Sequence, residues 1–469
     1  MVFSSYIFIF IFLPTALAAY YLAPGKLKHL VLTLFSIFFY GWANPAFVPV
    51  MMFTITMDYT NGRLIERAKS PMGRKVPVVV SVVTNLMVLA FFKYFNFGVD
   101  SFNAAMSAMA FTDYQFNSFF RVVLPLGISF YIFQSMSYVI DVYRRDAKVV
   151  TNYIDYACYV SMFPQLVAGP IIRFQEVADQ LQSRTHTWEK FSRGITFFML
   201  GMGKKILLAN PCGKIADTAF DAGGLGFFDS WFGLTAYSFQ IYFDFCGYSD
   251  MAIGLGLMLG FMFAKNFDSP YKSQSITEFW QRWHLSLSTW LRDYLYIPLG
   301  GNRKGNGRTY VNLALVMLLG GLWHGASWNF LIWGGIHGGY LAFERSQGKE
   351  SFYARLPKLL RILITFFIVS IAWVFFRAET LPEAWRFFKG LFGFGTVDAA
   401  STLIGGLIYG KYYIMNFVLA GVIIWFMPQT WDFTRKLSWP KVAWCLAVFM
   451  IALAALITQQ YNPFIYFIF

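Results

Sequence analysis

Three of the chain's five histidines, His284, His324 and His337, lie within one stretch of the sequence. His324 and His337 are surrounded by apolar residues, and His284 follows a tryptophan in RWHLSLS. An imidazole exchanges a proton near neutral pH, but it is costly to place in a membrane-like environment. Histidines in such surroundings indicate either acid–base chemistry or side chains that bond to a neighbouring helix.

The first candidate for a general base is His324, in the sequence LLGGLWHGASWNF. Gly320, Gly321 and Gly325 flank it, and small residues allow two helices, or a helix and a ligand, to approach closely. A neutral imidazole in this position could deprotonate a hydroxyl group. The residues alone leave a structural histidine equally open at this position. We predict that His337, in WGGIHGGY, is structural.

The segment 278–297 differs from its apolar neighbours because it combines charged side chains with tryptophans in a helical period. Glu278 and Arg282 have the i,i+4 spacing that favours an ion pair on a helix, and His284 follows them. A charged, tryptophan-rich helix is typical of a membrane–water boundary. The alternative interpretation is a surface helix with no active role.

A glycine-rich basic loop, PLGGNRKGNGR, follows this segment and contains Arg303 and Lys304. Backbone amides and cations of this kind can hold a phosphate group. The loop lacks the Lys-Ser or Lys-Thr pair that a P-loop requires after its glycines. An ordinary cytoplasmic loop therefore remains the favoured reading, with an anionic ligand as the alternative.

The composition predicts the elements that must position these residues. Of the 469 residues, 57% are hydrophobic and only 13% are charged, whereas soluble domains carry about 25% charged residues. Many apolar runs are long enough to cross a bilayer as helices. We therefore predict an all-α polytopic membrane protein that forms a single domain over residues 1–469.

The predicted spans follow from the positions of the apolar runs. These runs fall near 5–22, 28–45, 47–58, 77–95, 119–141, 153–172, 192–210, 228–263, 309–323, 327–343, 358–376, 408–427 and 440–458. They predict about eleven to thirteen transmembrane or re-entrant helices. Asp244 and Asp250 interrupt the run 228–263, so we expect this region to be broken or to line a cavity rather than to face lipid.

The net charge of +14 raises the question of an anionic partner. Because the lysines and arginines cluster in short loops between apolar runs, the positive-inside rule explains most of the charge, and no nucleic-acid partner is predicted. The four cysteines are dispersed without a C-x-x-C motif, which predicts no metal or redox site. His29, at a helix edge, and His186, in the polar stretch 173–193, are predicted to be solvated.

The sequence lacks the signatures of well-known soluble hydrolases. It contains no G-x-S-x-G nucleophile elbow and no H-E-x-x-H zinc helix. Two function classes remain on physical grounds. One is histidine-based acid–base chemistry in a membrane cavity, and the other is a transport pathway lined by the histidines, Asp244 and Asp250.

Several long motifs occur in an order that identifies a family. They are LPLGISFYIFQSMSYVIDVYR (124–144), FPQLVAGPIIRF (163–174), QIYFDFCGYSDMAIGLGLMLGF (240–261), SITEFWQRWHLSLSTWLRDYLYIPLGGNR (275–303) and GGLWHGASWNFLIWGGIHG (320–338). Through these motifs the chain resembles the membrane-bound O-acyltransferases, and among them the bacterial branch that modifies polysaccharides. The resemblance implies a helical bundle around a central tunnel.

The resemblance also assigns roles to individual residues. His324, in the WHG motif, matches the catalytic histidine of the family within the membrane, and His284 matches a second histidine towards the cytoplasmic mouth of the tunnel. The terminal FIYFIF, residues 464–469, is similar to a motif whose tyrosine receives the acyl group, which would be Tyr466 here. The residues alone favour an aromatic belt at the membrane interface as the alternative.

The function that the resemblance implies is O-acetylation. The family's branch takes an acetyl group from a cytoplasmic donor, acetyl-CoA by resemblance, whose phosphates would meet Arg303 and Lys304. It delivers the group across the bacterial inner membrane to an extracytoplasmic SGNH-type partner and then to a polysaccharide. No permanently bound cofactor is implied. Alginate is the first expected acceptor, with peptidoglycan or cellulose as alternatives, and a transporter without chemistry remains the rival class.

Overall fold

The computed structural model describes residues 1–116, 120–348, 352–397, 399–459 and 461–465, which form helices, turns and loops without a strand. The predicted all-α class is therefore confirmed. The chain divides into two compact units, of which the first contains Met1–Thr187 with Leu259–Phe263 and the second contains Trp188–Met258 with Ala264–Phe469. The single domain over 1–469 stays a prediction.

The first unit is built from helices of the N-terminal part of the chain. Its helices are α1 (Leu13–Leu22, preceded by the π-helical turns Ile7–Phe12), α2 (Lys28–Gly41), α3 (Val48–Arg67), α4 (Pro71–Ala108), α5 (Ile128–Arg144), α6 (Tyr153–Ser161), α7 (Phe163–Leu166) and α8 (Phe174–Gln182).

The second unit contains the three histidines that could do chemistry. Its helices are α9 (Trp188–Gly203), α10 (Asn210–Phe220), α11 (Phe227–Met258), α12 (Ile276–Trp280), α13 (Leu285–Leu291), α14 (Asn306–His324), α15 (Trp328–Gln347), α16 (Phe352–Arg355), α17 (Lys358–Arg377), α18 (Leu381–Leu391), α19 (Ala399–Ile408), α20 (Lys411–Phe426), α21 (Thr430–Phe433) and α22 (Trp439–Thr458). Short π-helical segments join α9 to α10 and follow α13.

Several helices are apolar enough to cross a membrane. Among the described residues, α4, α17 and α22 have both the length and the hydropathy of a span, and Ile7–Leu22 and α20 are shorter apolar helices. Most side chains in the apolar windows of α4 and α22 lie outside the protein interior. Apolar side chains on the outside of a helix suit contact with lipid.

The helix α11 bears on the two alternatives predicted for the run 228–263. It is unbroken from Phe227 to Met258, which excludes a break at Asp244 or Asp250, and nearly all of it from Gly233 onwards is buried. That it lines a cavity stays a prediction. The two acidic residues do not break the helix because each has a cation beside it. Lys205 Nζ lies 2.6 Å from Asp244 Oδ1, and Lys204 Nζ lies 2.7 Å from Asp250 Oδ2.

Glycines bring α9 and α11 into close contact. A Cβ atom on Gly194 would lie 2.6 Å from the carbonyl oxygen of Gly254, and one on Gly201 would lie 2.6 Å from that of Gly247. The two contacts are seven residues apart on each helix. Seven residues are about two helical turns, so both contacts lie on the same face. Only small residues permit this separation, so the glycine content of these segments reflects helix packing.

His29, in the first unit, is not simply solvated as predicted. Its Nδ1 lies 2.6 Å from Asp155 Oδ1, and its Nε2 lies 2.7 Å from the Nη1 of Arg184. His186 is exposed, and its Nε2 lies 2.9 Å from the hydroxyl of Tyr20. Residues distant in sequence supply these partners, so the local polarity that suggested solvation carried no information about them.

Candidate active site

The segment 278–297 forms two short helices rather than the continuous helix that its period predicts. The helix α12 ends at Trp280, α13 begins at Leu285, and His284 between them has a left-handed backbone with φ 45°. The predicted ion pair is present, with Arg282 Nη2 2.8 Å from Glu278 Oε1. The chain therefore turns at His284, whose side chain is buried instead of following the surface of a helix.

The hydrogen bonds of Asn266 determine which ring nitrogen of the neutral His284 carries the hydrogen. The Oδ1 atom of Asn266 accepts hydrogen bonds from the backbone nitrogen of Ser286 at 3.2 Å and from its hydroxyl at 2.9 Å. These donors identify this atom as the amide oxygen, so Nδ1 of His284, 3.3 Å away, must be the donor in that contact. A neutral His284 consequently carries its lone pair on Nε2, which is the atom that can accept a proton.

Burial also determines the charge of His284, which lies between helices and outside the apolar spans named above. Desolvation penalises the imidazolium form and lowers the pKa of His284 to about 3. The ring is therefore neutral at physiological pH. Phe245 on α11 packs edge-on against it, with 4.6 Å between ring centroids.

His324 is the last residue of α14, in a tight hairpin that α14 forms with α15. A Cβ atom on Gly321 would collide with the carbonyl oxygen of Phe330, and one on Gly325 would collide with the Phe330 ring. On the facing helix, a Cβ on Gly334 would collide with the carbonyl oxygen of Met317. The glycines around His324 thus allow the two helix backbones to touch, and this contact fixes where the imidazole sits.

We expect Gly334→Ala to lower the free energy of unfolding by about 1–3 kcal/mol, because the added methyl group meets backbone atoms that cannot move aside. The matched control is Gly335→Ala, where the nearest atom, Leu318 Cδ2, lies at an ordinary contact distance of 3.8 Å. Thermal unfolding of the purified protein in detergent measures both variants. Equal melting temperatures for the two would contradict the close packing of α14 on α15.

Aromatic rings enclose His324. Its ring centroid lies 5.0 Å from that of Trp323, 5.2 Å from that of Trp333 and 5.2 Å from that of Phe376. Only 4% of His324 is exposed. Such an environment excludes bulk water and strengthens any interaction with a charge that develops during a reaction.

Two tryptophans connect the three histidines into one row. Trp323 packs against both His284, at 6.1 Å, and His324, at 5.0 Å between ring centroids. Trp333 packs against both His324, at 5.2 Å, and His337, at 4.9 Å. The residues that were singled out from the sequence are therefore neighbours in one buried cluster.

His337 has the contacts of a structural side chain. The indole nitrogen of Trp280 donates a hydrogen bond of 3.3 Å to its Nδ1, so the lone pair on that atom is already used. The rings of Trp280 and Trp333 pack against it at 5.2 and 4.9 Å between centroids. The structural role of His337 stays a prediction, which its hydrogen bond from Trp280 supports.

Arg303 and Lys304 lie on an exposed loop. This loop connects the π-helical segment that follows α13 to the start of α14. Gly300 and Gly301 have positive φ angles that turn the chain there, and Asn312 Nδ2 donates a hydrogen bond of 2.9 Å to the carbonyl of Gly301. Both cations are exposed on this turn. Their role as donor contacts stays a prediction.

A cavity of about 690 Å³ lies beside α12, α15 and α17, and the sequence did not reveal it. Arg345 and Arg361 line it together with Glu278 and Glu344. Both carboxylates are occupied, because Glu278 pairs with Arg282 and Glu344 accepts hydrogen bonds from the backbone nitrogens of residues 276 and 277. Neither cavity arginine forms an ion pair with a described residue, so both guanidinium groups keep donors for an anionic ligand, although the two arginines and two glutamates of the lining balance in formal charge.

Tyr466 lies outside the described residues, but the residues immediately before it pack into the second unit. Phe464 and Ile465 are buried, and the backbone nitrogen of Ile465 donates a hydrogen bond of 2.8 Å to Asp244 Oδ2. The next residue on α11, Phe245, is the one that packs against His284. The segment that leads to Tyr466 is therefore bonded to the same helix that flanks the histidine cluster.

Comparison with known proteins identifies relatives over the full chain. Residues 143–376 match the membrane-bound O-acyltransferase family. The chain is 42% identical to the probable alginate O-acetylase AlgI of Azotobacter vinelandii, over 100% of both proteins. It is 48% identical to the probable alginate O-acetylase AlgI of Pseudomonas aeruginosa, over 90% of this chain and 81% of the relative. Its identity to the peptidoglycan O-acetyltransferase of Helicobacter pylori is 36%, over 85% and 81% of the two chains.

Proposed function

Since the chain belongs to the membrane-bound O-acyltransferase family, we propose that it is the membrane component that acetylates alginate. One observation carries this proposal, namely end-to-end similarity to a probable alginate O-acetylase. The enclosed histidine cluster of the second unit supports it, because acyl transfer to a hydroxyl needs a base that is shielded from water.

In the proposed reaction, His324 acts as the general base. It takes the proton from the phenol of Tyr466 while the phenol oxygen attacks the carbonyl carbon of the acetyl thioester. The carbon–sulfur bond then breaks, and the leaving thiolate takes the proton from the imidazolium of His324. The products are a free thiol and an acetyl ester on Tyr466, so atoms and charges balance. A hydroxyl on the outer side of the membrane then attacks this ester and regenerates the phenol.

His284 is proposed as the second functional histidine, on the donor side of the cluster. Its lone pair on Nε2 gives it the capacity to accept a hydrogen bond or a proton, and its burial keeps it neutral. The contact of Trp323 with both rings supports a joint role for His284 and His324.

The proposed donor is acetyl-CoA, which a protein of the bacterial inner membrane would meet on its cytoplasmic side. Its phosphates need cations, and two places offer them. One is the exposed loop with Arg303 and Lys304, and the other is the cavity with Arg345 and Arg361. The cavity has the better shape for a bulky ligand, because binding sites for small molecules are concave and lined mostly by apolar surface.

The double variant Arg345→Gln with Arg361→Gln is expected to raise the KM for acetyl-CoA about 10-fold with little change in kcat, because ground-state contacts with phosphate are lost. The matched variant Arg303→Gln with Lys304→Gln removes the same charge from the loop and is expected to change KM less than about 3-fold. Release of free thiol by the purified protein measures both. The reverse ranking would assign the donor phosphates to the loop.

The proposed partner is an extracytoplasmic SGNH-type acetyltransferase, which would move the acetyl group from the membrane protein to the polymer. The similarity to alginate O-acetylases favours alginate as the polymer. Peptidoglycan is the second candidate, because a peptidoglycan O-acetyltransferase is also related over most of the chain.

The acceptor is tested by expressing the chain in an alginate-producing bacterium that lacks its own membrane acetylase but retains the secreted proteins. The proposal predicts that ester groups return to the alginate, measured by infrared or NMR spectroscopy of the purified polymer. Acetyl esters that appear on peptidoglycan while the alginate stays unmodified would replace alginate by the second candidate.

A further inference from the structure

The end of the described chain is held by a buried ion pair. Lys205 lies between α9 and α10, Asp244 lies in the middle of α11, and only 3% and 1% of these residues are exposed. Their charged atoms, Nζ and Oδ1, are 2.6 Å apart. Charges are costly to bury in a membrane protein, so a pair in this position needs an explanation.

Each member of the pair also bonds to the backbone of the C-terminal segment 461–465. Asp244 Oδ2 accepts the hydrogen of the Ile465 nitrogen at 2.8 Å, and Lys205 Nζ donates to the carbonyl oxygen of Pro463. One residue thus supplies an acceptor to a backbone donor, and the other supplies a donor to a backbone acceptor. Residues 461–464 have no regular secondary structure, so side chains must satisfy the polar groups of this buried backbone.

Further polar contacts continue along the same segment. Asn210 Nδ2 donates to the carbonyl oxygen of Tyr461 at 3.2 Å, and the Tyr461 hydroxyl donates to Asp217. Asp217 is itself paired with Arg377 Nη2 at 2.9 Å. The segment is therefore fixed at several successive residues, with the ion pair at the end nearest to Tyr466.

A second ion pair beside the first provides a contrast. Lys204, the preceding residue, pairs with Asp250 on α11, and both side chains bond to the hydroxyl of Thr430. This pair joins the same helices, but in the described part of the chain it makes no hydrogen bond to the C-terminal segment. Joining α11 to the preceding helices therefore does not account for the backbone contacts of Lys205 and Asp244.

We propose that Lys205 and Asp244 form a clamp that positions the C-terminal segment and so determines which residue of the tail reaches the histidine cluster. This inference rests on the proposed function, in which Tyr466 carries the acetyl group one residue beyond the clamped nitrogen. Lys205 and Asp244 are positioning residues, because they act through the segment and not on the reacting atoms.

The clamp requires the lysine at position 205 and the aspartate at position 244, whereas an ion pair that only stabilises the core would work in either orientation. Exchanging the two residues, as in Lys205→Asp with Asp244→Lys, keeps one positive and one negative charge in the core. A lysine at position 244 has no acceptor for the Ile465 nitrogen, and an aspartate at position 205 has no donor for the Pro463 carbonyl. The exchange therefore restores the pairing of charges without restoring the contacts to the segment.

The experiment compares four full-length proteins in detergent, which are the wild type, Lys205→Met, the charge exchange and Lys204→Met as the matched control. Thermal unfolding establishes that each is folded. Digestion with a carboxypeptidase, followed by intact-mass measurement, reports how far the tail is released without requiring any acetyl transfer. Acetylation of alginate in cells reports the consequence for function.

We expect the wild type and Lys204→Met to keep Ile465 and the residues before it during digestion, and Lys205→Met and the charge exchange to lose Ile465. Acetylation should fall about 100-fold in the two clamp variants, because small displacements of a reacting group have effects of this size. Lys204→Met should retain acetylation while losing as much thermal stability as Lys205→Met.

Two results would overturn the clamp. The first is an exchanged protein that protects its tail and acetylates alginate like the wild type, since the pair would then be a stabilising contact only. The second is a protected tail in Lys205→Met. A tail that is released while acetylation stays normal would leave the clamp intact and contradict instead the proposed role of Tyr466.

Discussion

Replacing His324 by alanine is expected to reduce acetylation of the polymer by at least about 100-fold, because the general base for the acceptor hydroxyl is lost. The protein should still insert into the membrane, since His324 lies at the end of α14 and its removal leaves the glycine contacts with α15 in place. Ester content of the polymer, together with the amount of protein in isolated membranes, measures this expectation.

The matched control is His337→Gln, which changes another buried histidine of the same cluster. Trp280 donates to its Nδ1, and the side-chain oxygen of glutamine can accept the same hydrogen bond. We expect this variant to melt at a lower temperature but to retain acetylation. Full polymer acetylation by His324→Ala at normal expression would contradict the role of His324.

The second large effect is expected from Tyr466→Phe. The change removes only the phenol oxygen, so the ring is kept but no acetyl ester can form on it. Acetylation should fall to the background of the host, and peptide mapping by mass spectrometry should find no acetylated C-terminal peptide. The wild type should carry an added acetyl group on Tyr466.

Tyr409→Phe is the control for this variant. The hydroxyl of Tyr409 bonds to Asp229 at the start of α11, and the residue makes no hydrogen bond to the segment 461–465. We expect the Tyr409→Phe protein to keep both the acetyl group on Tyr466 and the acetylation of the polymer. A Tyr466→Phe protein that acetylates alginate at the level of the control would exclude Tyr466 as the carrier.

The features that the sequence predicted correctly are those with a local cause. The all-α class and the apolar helices α4, α17 and α22 follow from runs of apolar residues, which act over one helix at a time, whereas the predicted number of eleven to thirteen spans stays a prediction. The ion pair of Glu278 with Arg282 follows from their i,i+4 spacing, and it is present although the surrounding helix ends two residues before Arg282.

The errors concern features that depend on distant parts of the chain. Asp244 and Asp250 suggested a helix that is broken or lines a cavity, and of these the break is absent, because Lys205 and Lys204 compensate the two charges and α11 continues. The turn at His284 depends on Asn266, whose backbone oxygen accepts from the nitrogen of Leu285 at 2.9 Å. Asn266 lies outside 278–297, so the residue pattern of that segment could not predict this contact.

The candidate site was predictable in its residues but not in its arrangement. The cost of histidines in apolar surroundings singled out His324 and His337, and the family resemblance added His284. The structure connects all three through shared tryptophan contacts. The tryptophans that join them could not be assigned beforehand, because the same residue type is common at membrane interfaces. Likewise, Arg345 and Arg361 meet at one cavity only through the packing of α15 and α17.

The central claim is that this chain catalyses acyl transfer with His324 as its base. It is tested most directly by incubating the purified wild type and His324→Ala with acetyl-CoA that carries an isotope in the acetyl group, and by measuring free thiol and covalent label together. We expect thiol release from the wild type with an equal amount of label on the protein, and neither from His324→Ala. A wild-type protein that releases no thiol and retains no label would exclude acyl transfer and favour a transporter.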